Sequence, residues 1–287
     1  MYLIWEKSTL SGICDRLADM FLMLTLARIK DKKLVLIWEK YELKRIDPKF
    51  REHDYELQNL KKYIDIPNDV IFVDSIEEFQ NYDGERFTRY LGGVFSIHTF
   101  YKKFCRNIPI ESFITKYDTV ISEFKPKLIT NINDPYVGVH IRRTDKILKK
   151  KIKDRYVLYD DDLSELNHKT QYCIDEFLSR GINTFYIASD DPIAQKEYGE
   201  YIKNKGGKII KANSTNEIEK TYFDLIYLIN SNVIIMSQIF SNFSLVASIL
   251  RKKPLLILYP INTIWDKYTN YPYYNFIHIY NKYFSNK

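Results

Sequence analysis

Cysteine is scarce in this chain, with only Cys14, Cys105 and Cys173 among 287 residues. An odd number of cysteines without metal-ligand spacing argues against both a disulfide framework and a zinc site. The sequence therefore predicts a reducing, cytoplasmic environment. Long apolar runs are also absent, because the apolar opening over residues 1–5 is followed at once by charged residues. We expect a soluble protein without a signal peptide, a transmembrane segment or a membrane anchor.

Two nucleotide-binding fingerprints are missing as well. Neither the glycine pattern GxGxxG nor the phosphate loop GxxxxGK[ST] occurs, which disfavours dinucleotide dehydrogenases and phosphate-loop ATPases. The charge is not one-sided either, since 43 basic residues are offset by 37 acidic ones to give a net charge of +6. One lysine cluster, over residues 146–153, lacks the interleaved aromatic residues of single-strand binders. It predicts a solvated loop that helps to attract an anionic substrate, and no nucleic-acid partner.

What the chain does contain is a regular alternation of strand and helix patterns. Apolar residues at helical spacing over 17–27 lie between strand patterns at 1–5 and 33–37. Beyond a boundary predicted near 126–133, strand patterns alternate with helical stretches. The predicted strands there are 136–141, 184–188, 208–211, 233–236 and 255–258, and the predicted helices are 168–180, 192–204, 217–230 and 243–251. Such alternation predicts an α/β fold with two doubly wound parallel sheets.

The most informative stretch is the heptapeptide HIRRTDK at 140–146, directly after the apolar strand pattern at 136–139. In parallel sheets, ligands bind just beyond the carboxyl ends of the strands. Arginine suits that place because its planar fork grips phosphate oxygens and keeps its charge at any working pH. Arg142 and Arg143 therefore predict an anion site. The alternative is that they form structural ion pairs with carboxylates.

Two other strand-to-helix loops carry polar residues that belong at the same rim. In the first, Gly12 allows a close backbone approach, and Asp15 either caps the following helix or favours a ligand beside it. In the second, Asp190 and Asp191 precede a proline, so they start a helix and alternatively bind a metal or a ribose.

A third loop and one helix complete the predicted site. The loop holds Ser241, Asn242, Phe243 and Ser244, where hydroxyl and amide groups beside exposed helix amides form a phosphate cradle. Helix capping explains one of those residues but not the cluster. Asp224 lies on an apolar helical stretch, where it is either a solvated residue or a carboxylate that recognises a base.

These motifs resemble those of a known group. HIRRTDK, then YIASDDP about 50 residues later, then an S-x-x-S helix start resemble the three-motif signature of GDP-fucose-dependent fucosyltransferases. That group includes the α1,6-fucosyltransferases, the rhizobial nodulation fucosyltransferases and the protein O-fucosyltransferases. The segment over residues 12–38 is similar to the first strand-to-helix element of the O-fucosyltransferases. The resemblance spans most of the chain.

The resemblance implies a GT-B-like fold of two Rossmann-like domains with a cleft between them. Residues 1–130 would form the acceptor-side domain, and residues 131–287 the GDP-sugar domain, with the aromatic tail over 265–284 packing back on the first domain. Arg142 would contact the diphosphate with Arg143 supporting it, and His140 would lie beside the nucleotide. Asp190 and Asp191 would organise the site, Asp224 would recognise the guanine edge, and residues 241–244 would hold phosphate.

The implied activity is inverting transfer of L-fucose from GDP-fucose to a glycan or glycoconjugate, without a metal or another cofactor. The α1,6 enzymes carry a glutamate a few residues after the arginine motif, whereas this chain has no acid over residues 147–151. Asp15 is our candidate base in its place, with Asp145 as the second candidate. Two alternatives remain open. One is a metal-dependent GT-A enzyme using Asp160, Asp161 and Asp162, and the other is a GDP- or glycan-binding module without catalysis.

Overall fold

The computed structural model describes residues 1–6, 12–38, 57–73, 76–88, 97–127, 132, 134–143, 160–212, 217–237, 241–258 and 277–279. The chain forms two compact units. Unit 1 comprises Met1–Lys127 together with Asn216–Tyr222, and unit 2 comprises Leu128–Thr215 together with Phe223–Lys287. No helix in the described ranges combines the length and hydrophobicity that a bilayer span requires.

Unit 1 is built on a parallel sheet of four strands in the order β4-β2-β1-β5. These strands are β1 (Tyr2–Glu6), β2 (Lys33–Ile37), β4 (Val70–Val73) and β5 (Gly84–Thr88). A short antiparallel pair joins β3 (Ile64–Asp65) to β6 (Lys125–Pro126). The order reverses at β1, because β2 and β4 lie on one side of it and β5 on the other. A sheet with that reversal is doubly wound, as the alternating pattern predicts.

The helices of unit 1 cover this sheet. They are α1 (Ile13–Ile29), α2 (Leu57–Tyr63), α3 (Ile76–Gln80), α4 (Ile97–Phe100), a π-helical turn (Tyr101–Cys105) and α5 (Ile110–Glu123). Helix α1 is buried almost all round, which explains why most of its residues are apolar, although Arg16 and Asp19 are buried as well. Its Phe21 ring packs edge-on against Phe124 at 4.8 Å between centroids.

Unit 2 is built on a parallel sheet of six strands in the order β12-β11-β10-β7-β8-β9. The strands are β7 (Val137–Ile141), β8 (Thr184–Ser189), β9 (Lys208–Ile209), β10 (Val233–Ser237), β11 (Leu255–Ile257) and β12 (Ile277–Ile279). The helices are α6 (Asp160–Ser179), α7 (Pro192–Asn204), α8 (Glu217–Asn230), whose first residues belong to unit 1, and α9 (Asn242–Arg251). The order reverses between β7 and β10, which is the strand order of a Rossmann sheet.

Side chains of β7 alternate between two faces of this sheet. Val137, Val139 and Ile141 point into a core that also contains residues of α6 and α7. Gly138 points to the opposite face, where a Cβ would lie 2.7 Å from a Leu228 methyl of α8. His140 shares that face and reaches α9. The α/β fold with parallel sheets that the sequence predicts is therefore observed.

Several elements differ from the sequence prediction. Helix α6 begins at Asp160 and not near residue 168, so Asp160, Asp161 and Asp162 form its first helical turn and not a loop. Acids are favoured there because the amino end of a helix carries partial positive charge. Strand β5 was not predicted, since its polar residues hide the apolar pattern. Of the aromatic tail, only Ile277–Ile279 is described, and these residues pair in parallel with β11 in unit 2.

Candidate functional site

The predicted site residues of unit 2 follow three strands of its sheet at one edge. Arg142 and Arg143 follow β7, Asp190 and Asp191 follow β8, and the loop before α9 follows β10. Strands β7 and β10 are adjacent, with His140 paired to Met236 in the register. Ligands of Rossmann-type sheets bind where the strand order reverses, beyond the carboxyl ends of the strands. The predicted residues therefore gather at the position where this sheet type binds its ligands.

His140 links β7 to helix α9. Its Nδ1 lies 2.6 Å from Ser244 Oγ, and both residues are buried. The Phe243 ring packs against the imidazole, with 5.0 Å between ring centroids. Because Ser244 lies in the first turn of α9, this hydrogen bond ties the carboxyl end of β7 to the amino terminus of that helix.

The amino terminus of α9 is built by the residues that the sequence singles out. Ser241 occupies the N-cap position, where its Oγ accepts a hydrogen bond of 3.1 Å from Phe243 N. Asn242 is half-buried beside it. Capping therefore accounts for Ser241, as expected of one residue in the cluster, whereas Ser244 has a separate role against His140. A helix amino terminus placed at this edge favours an anion through its amide groups and its dipole.

The two arginines have different environments. Arg142 is half-buried, whereas Arg143 is only 8% exposed. The Arg143 guanidinium donates to Asn167 Oδ1 at 2.7 Å and lies 5.8 Å from the centre of the Tyr198 ring. Its Nη1 is also 3.7 Å from Glu197 Oε2. The structural ion pairing considered for both arginines thus describes Arg143, and the structure holds it on the side of the sheet covered by α6 and α7.

The two acids after β8 contribute in different ways. Asp190 Oδ1 accepts a hydrogen bond of 2.9 Å from the backbone N–H of Arg143, so it fixes the chain just past β7. Asp191 is the N-cap of α7, and its Oδ1 accepts from Ile193 N at 2.9 Å. A proline at the first helical position completes an ordinary helix start. Asp190 therefore ties its loop to the turn after β7, and Asp191 shapes its own loop through a local hydrogen bond.

Asp224 lies in α8, 7% exposed, and accepts a hydrogen bond from the Tyr186 hydroxyl of β8. The Tyr186 ring stacks on Tyr227 at 4.3 Å. Burial, then the neighbouring Asp224 carboxylate, raises the pKa of Tyr186 far above its ordinary value, so this hydroxyl stays protonated and keeps donating. Of the two readings that the sequence leaves open, a solvated residue is excluded, because this carboxylate is buried and hydrogen-bonded.

In unit 1 the predicted residues lie at the start of α1. Gly12 is the N-cap, with extended backbone angles of φ −60° and ψ 164° that do not require glycine. A Cβ at this position would meet only Asp15 Oδ2, at 3.6 Å. Asp15 is half-buried in the first turn. Gly12 and not Asp15 therefore occupies the N-cap position, and the Asp15 carboxylate sits where the helix dipole favours negative charge.

Some predicted residues lie outside what the structure describes. Asp145 and the lysine cluster fall within residues 144–159, and the side chains of Asp160, Asp161 and Asp162 are not described. Among the described side chains, no group of three or more histidines, cysteines, aspartates or glutamates is placed to hold a metal ion.

Sequence reasoning missed the partners that hold the predicted residues. Asn167, Tyr198 and Tyr186 each contact a predicted residue, yet they are 24, 55 and 38 positions from it along the chain. The helical periodicity of α6 and α7 places Asn167 and Tyr198 near the sheet face, which is the one signal that the sequence offers. Their contacts with Arg143 depend on how the helices cross the sheet, and no local pattern records that.

Comparisons with known proteins find similar solved structures but no matching family. No family model and no curated protein matches the chain. Solved structures similar to it include POFUT1 in complex with GDP-fucose, at 13% identity and a TM-score of 0.47, covering 88% of this chain and 94% of that one. NodZ alpha-1,6-fucosyltransferase soaked with GDP-fucose is 12% identical, with a TM-score of 0.45 over 87% of this chain and 92% of that one.

The fucosyltransferase NodZ from Bradyrhizobium is similar too, at 11% identity and a TM-score of 0.48, covering 87% of this chain and 93% of that one. The resemblance expected from the motifs is confirmed in this respect: fucosyltransferases are among the solved structures to which the chain is similar. With such identities and TM-scores, the roles of individual residues have to be argued from this chain itself.

Proposed function

We propose that this chain is a glycosyltransferase that moves L-fucose from GDP-fucose to a hydroxyl group of a glycan or a protein. The observation that carries the proposal is the buried hydrogen bond of 2.6 Å between His140 and Ser244. It fixes the residue two positions before Arg142 against the amino terminus of α9, at the reversal of the strand order. A permanent cation together with the amides of a helix amino terminus would make a site for a diphosphate.

The chemistry needs such a site. When the bond between fucose C1 and the β-phosphate breaks, negative charge develops on the departing GDP. Donors fixed in advance at that position lower the barrier, each by roughly 3–4 kcal/mol by analogy with the loss of one oxyanion-hole donor. Arg142 and the amides of α9 would supply these donors without a metal. Attack by the acceptor hydroxyl on the opposite face of C1 would invert the configuration there.

The other residues take roles consistent with their positions. Arg143 is charge-balanced by neighbouring acids, so it supports Arg142 and does not bind phosphate itself. Asp190 holds the backbone of this turn. Asp224, oriented by Tyr186, is assigned to the guanine edge.

The preference for fucose, the GT-B-like pairing of an acceptor domain (1–130) with a donor domain (131–287), and the base role of Asp15 come from the motif resemblance. They are part of the proposal on that ground.

The first experiment measures GDP release from GDP-fucose by the purified protein, with a panel of glycan and glycoprotein acceptors and EDTA present. We expect release that depends on the acceptor, and we expect Arg142→Ala to abolish it. Arg180→Ala is the matched control, because Arg180 follows α6 at the other end of the sheet and pairs with Glu176. Full activity of Arg142→Ala would defeat the proposal. A strict requirement for Mn²⁺ would favour a GT-A enzyme instead.

A second measurement tests the nucleotide. Ligands that bind the native state raise its apparent stability by mass action. In a thermal-shift panel we expect GDP to raise the melting temperature more than UDP, CDP or ADP. Binding of GDP without turnover across the acceptor panel would indicate a binding module.

A further inference from the structure

Arg143 and its neighbours form a polar cluster on the face of the unit 2 sheet opposite to His140. Asn167 Oδ1 accepts two hydrogen bonds, one of 2.7 Å from Arg143 Nη2 and one of 2.8 Å from the Tyr198 hydroxyl. Because a guanidinium has only donors, the group of Asn167 that faces it must be the amide oxygen. Two donors fill the two lone pairs of that oxygen. The side chains of α6, α7 and the turn after β7 are thus joined at one atom.

Two members of the cluster are buried, and two carboxylates lie near its guanidinium. Arg143 and Tyr198 are 8% and 4% exposed. The guanidinium lies over the Tyr198 ring and within 4.0 Å of the carboxylates of Asp191 and Glu197. Burial raises the pKa of Tyr198, so its hydroxyl remains a donor at neutral and moderately alkaline pH. The contacts of this guanidinium within the described part of the chain are with side chains of α6, α7 and the residue before α7, and they serve to fix its position.

Consecutive residues leaving a strand point to opposite faces. Ile141 and Arg143 both lie on the side of α6 and α7, and His140 lies on the side of α9. Arg142 follows His140 by two positions, so the same alternation directs it to the face of His140 and the amino terminus of α9. Fixing Arg143 on one face of the sheet therefore also fixes the backbone position from which the Arg142 side chain extends on the other face.

We propose that Asn167, with Tyr198, is a positioning residue that aims Arg142 at the diphosphate by anchoring Arg143. This inference rests on the proposed function, since it assigns a task to the same anion site. Asn167 suits the task because its neutral oxygen accepts from the guanidinium without adding a third negative charge to those of Asp191 and Glu197. Neither Asn167 nor Tyr198 needs to touch the donor sugar nucleotide.

The test is a double-mutant cycle between Asn167→Ala and Arg142→Ala, read as the dissociation constant for GDP. The kcat and KM for fucosyl transfer are compared between wild type and Asn167→Ala only, because Arg142→Ala is expected to abolish transfer. Supporting side chains of this kind typically change affinity or activity about 10- to 100-fold. We expect Asn167→Ala to weaken GDP binding and lower kcat by roughly that factor in the wild-type background. In the Arg142→Ala background it should have almost no further effect, because the aimed side chain is gone.

Three further variants separate positioning from general stability. Asn167→Asp keeps the acceptor oxygen but adds the third negative charge, so it should recover only part of the GDP affinity that Asn167→Ala loses. Tyr198→Phe removes one hydroxyl and keeps the ring under Arg143, so a smaller loss of GDP affinity is expected. His168→Ala, an exposed neighbour on the same helix, is the matched control and should behave as wild type.

The outcomes distinguish this inference from the proposed function. If the wild type neither binds GDP nor transfers fucose, the proposed function fails and the inference fails with it. If the wild type is active and Asn167→Ala leaves GDP affinity and kcat unchanged, only the positioning role is overturned. Equal losses from Asn167→Ala with and without Arg142 would also overturn it, because they would show a purely structural effect.

Discussion

At the scale of single residues, burial separates side chains that the sequence presents as equivalent. Arg142 and Arg143 are adjacent and identical in type, and the motif alone assigns both to an anion. The structure surrounds Arg143 with Asn167, Tyr198 and two carboxylates. Asp190 and Asp191 divide in the same way, one holding a backbone N–H and the other capping α7. Local sequence predicts which residues gather at the site, and long-range packing decides what each one does.

The hydrogen bond between His140 and Ser244 gives a prediction at this scale. Ser244→Ala removes the buried hydrogen bond between Ser244 and His140 Nδ1, which should cost about 1–3 kcal/mol of unfolding free energy. Because the bond also fixes the first turn of α9, we expect GDP affinity to fall about tenfold, by analogy with other supporting contacts. Urea denaturation and calorimetric titration with GDP measure the two effects.

Ser248→Ala is the matched control for that variant. Ser248 is also a fully buried serine of α9, but it donates to Lys253 O at the far end of the helix. Its loss should reduce stability by about 1 kcal/mol and leave GDP affinity intact. Equal GDP affinities for the Ser244 and Ser248 variants would refute the role of Ser244.

At the scale of elements, the close approach of α8 to the sheet depends on one glycine. A Cβ on Gly138 of β7 would lie 2.7 Å from Leu228 Cδ2 and 3.0 Å from Ser231 Oγ. Both contacts are too short, so the Leu228 side chain would have to turn aside and Ser231, just after α8, would have to shift. Since α8 carries Asp224, its distance from β7 also sets the position of that carboxylate.

Gly138→Ala should therefore lower the free energy of unfolding by about 1–3 kcal/mol, the usual effect of overpacking. Gly199→Ala is the contrasting variant. Gly199 lies within α7, and a Cβ added there would meet only Ile187 Cδ1, at 3.9 Å. A helical alanine in place of glycine should raise stability by about 0.5–1 kcal/mol. Chemical denaturation compares the two, and a Gly138→Ala protein as stable as wild type would contradict this account of the packing.

Elements were predictable where their apolar pattern is strong. The predicted bounds of α7 and α8 coincide with those observed, because both helices alternate an apolar stripe with a polar face. The first part of α6 was missed because three consecutive aspartates and a polar stretch precede its apolar residues. Strand β5 was missed for a related reason: its sequence GERFT has few apolar residues, and it lies at the edge of its sheet.

At the scale of the whole molecule, the alternation of strands and helices predicted parallel sheets, and the structure has them. It did not predict which strands are neighbours, because β7 pairs with β10 across nearly a hundred residues. That pairing brings the carboxyl end of β7, which Arg142 follows, next to the strand that leads into α9. The order of the strands thus depends on contacts between distant segments, and composition and periodicity do not encode them in any readable way.

The two units should respond differently to pH. In unit 1, Arg28 binds both Asp69 and Glu123. Burial acts to raise the pKa of Asp69, but the hydrogen bond and charge of Arg28 outweigh it and hold that pKa below its ordinary value. This contribution to stability is present above the unfolded pKa of about 4 and is lost as the pH falls through the folded value.

In unit 2 the dependence of stability on pH has the opposite sign. Burial raises the pKa of Tyr136, Tyr186 and Tyr227 above the ordinary value. Their contribution is present below the unfolded pKa of about 10 and is lost as the pH rises through the folded values. Pulsed hydrogen exchange should show α1 losing protection before β7 in acid, and β7 losing it before α1 in alkali. Arg28→Met should remove the early loss of α1 protection in acid. Simultaneous loss of protection in α1 and β7 at both low and high pH would contradict the prediction.

One consequence follows from the way unit 1 is assembled along the chain. Tyr222 is completely buried and stacks on Tyr63 at 5.5 Å, and Glu219 accepts hydrogen bonds from Lys62 and Tyr63. These partners arrive almost a hundred residues after the rest of the unit has ended. A gene truncated after codon 127 would therefore encode a fragment in which Tyr63 lacks its contacts with Tyr222 and Glu219. A nascent chain on the ribosome could not form those contacts until α8 had emerged.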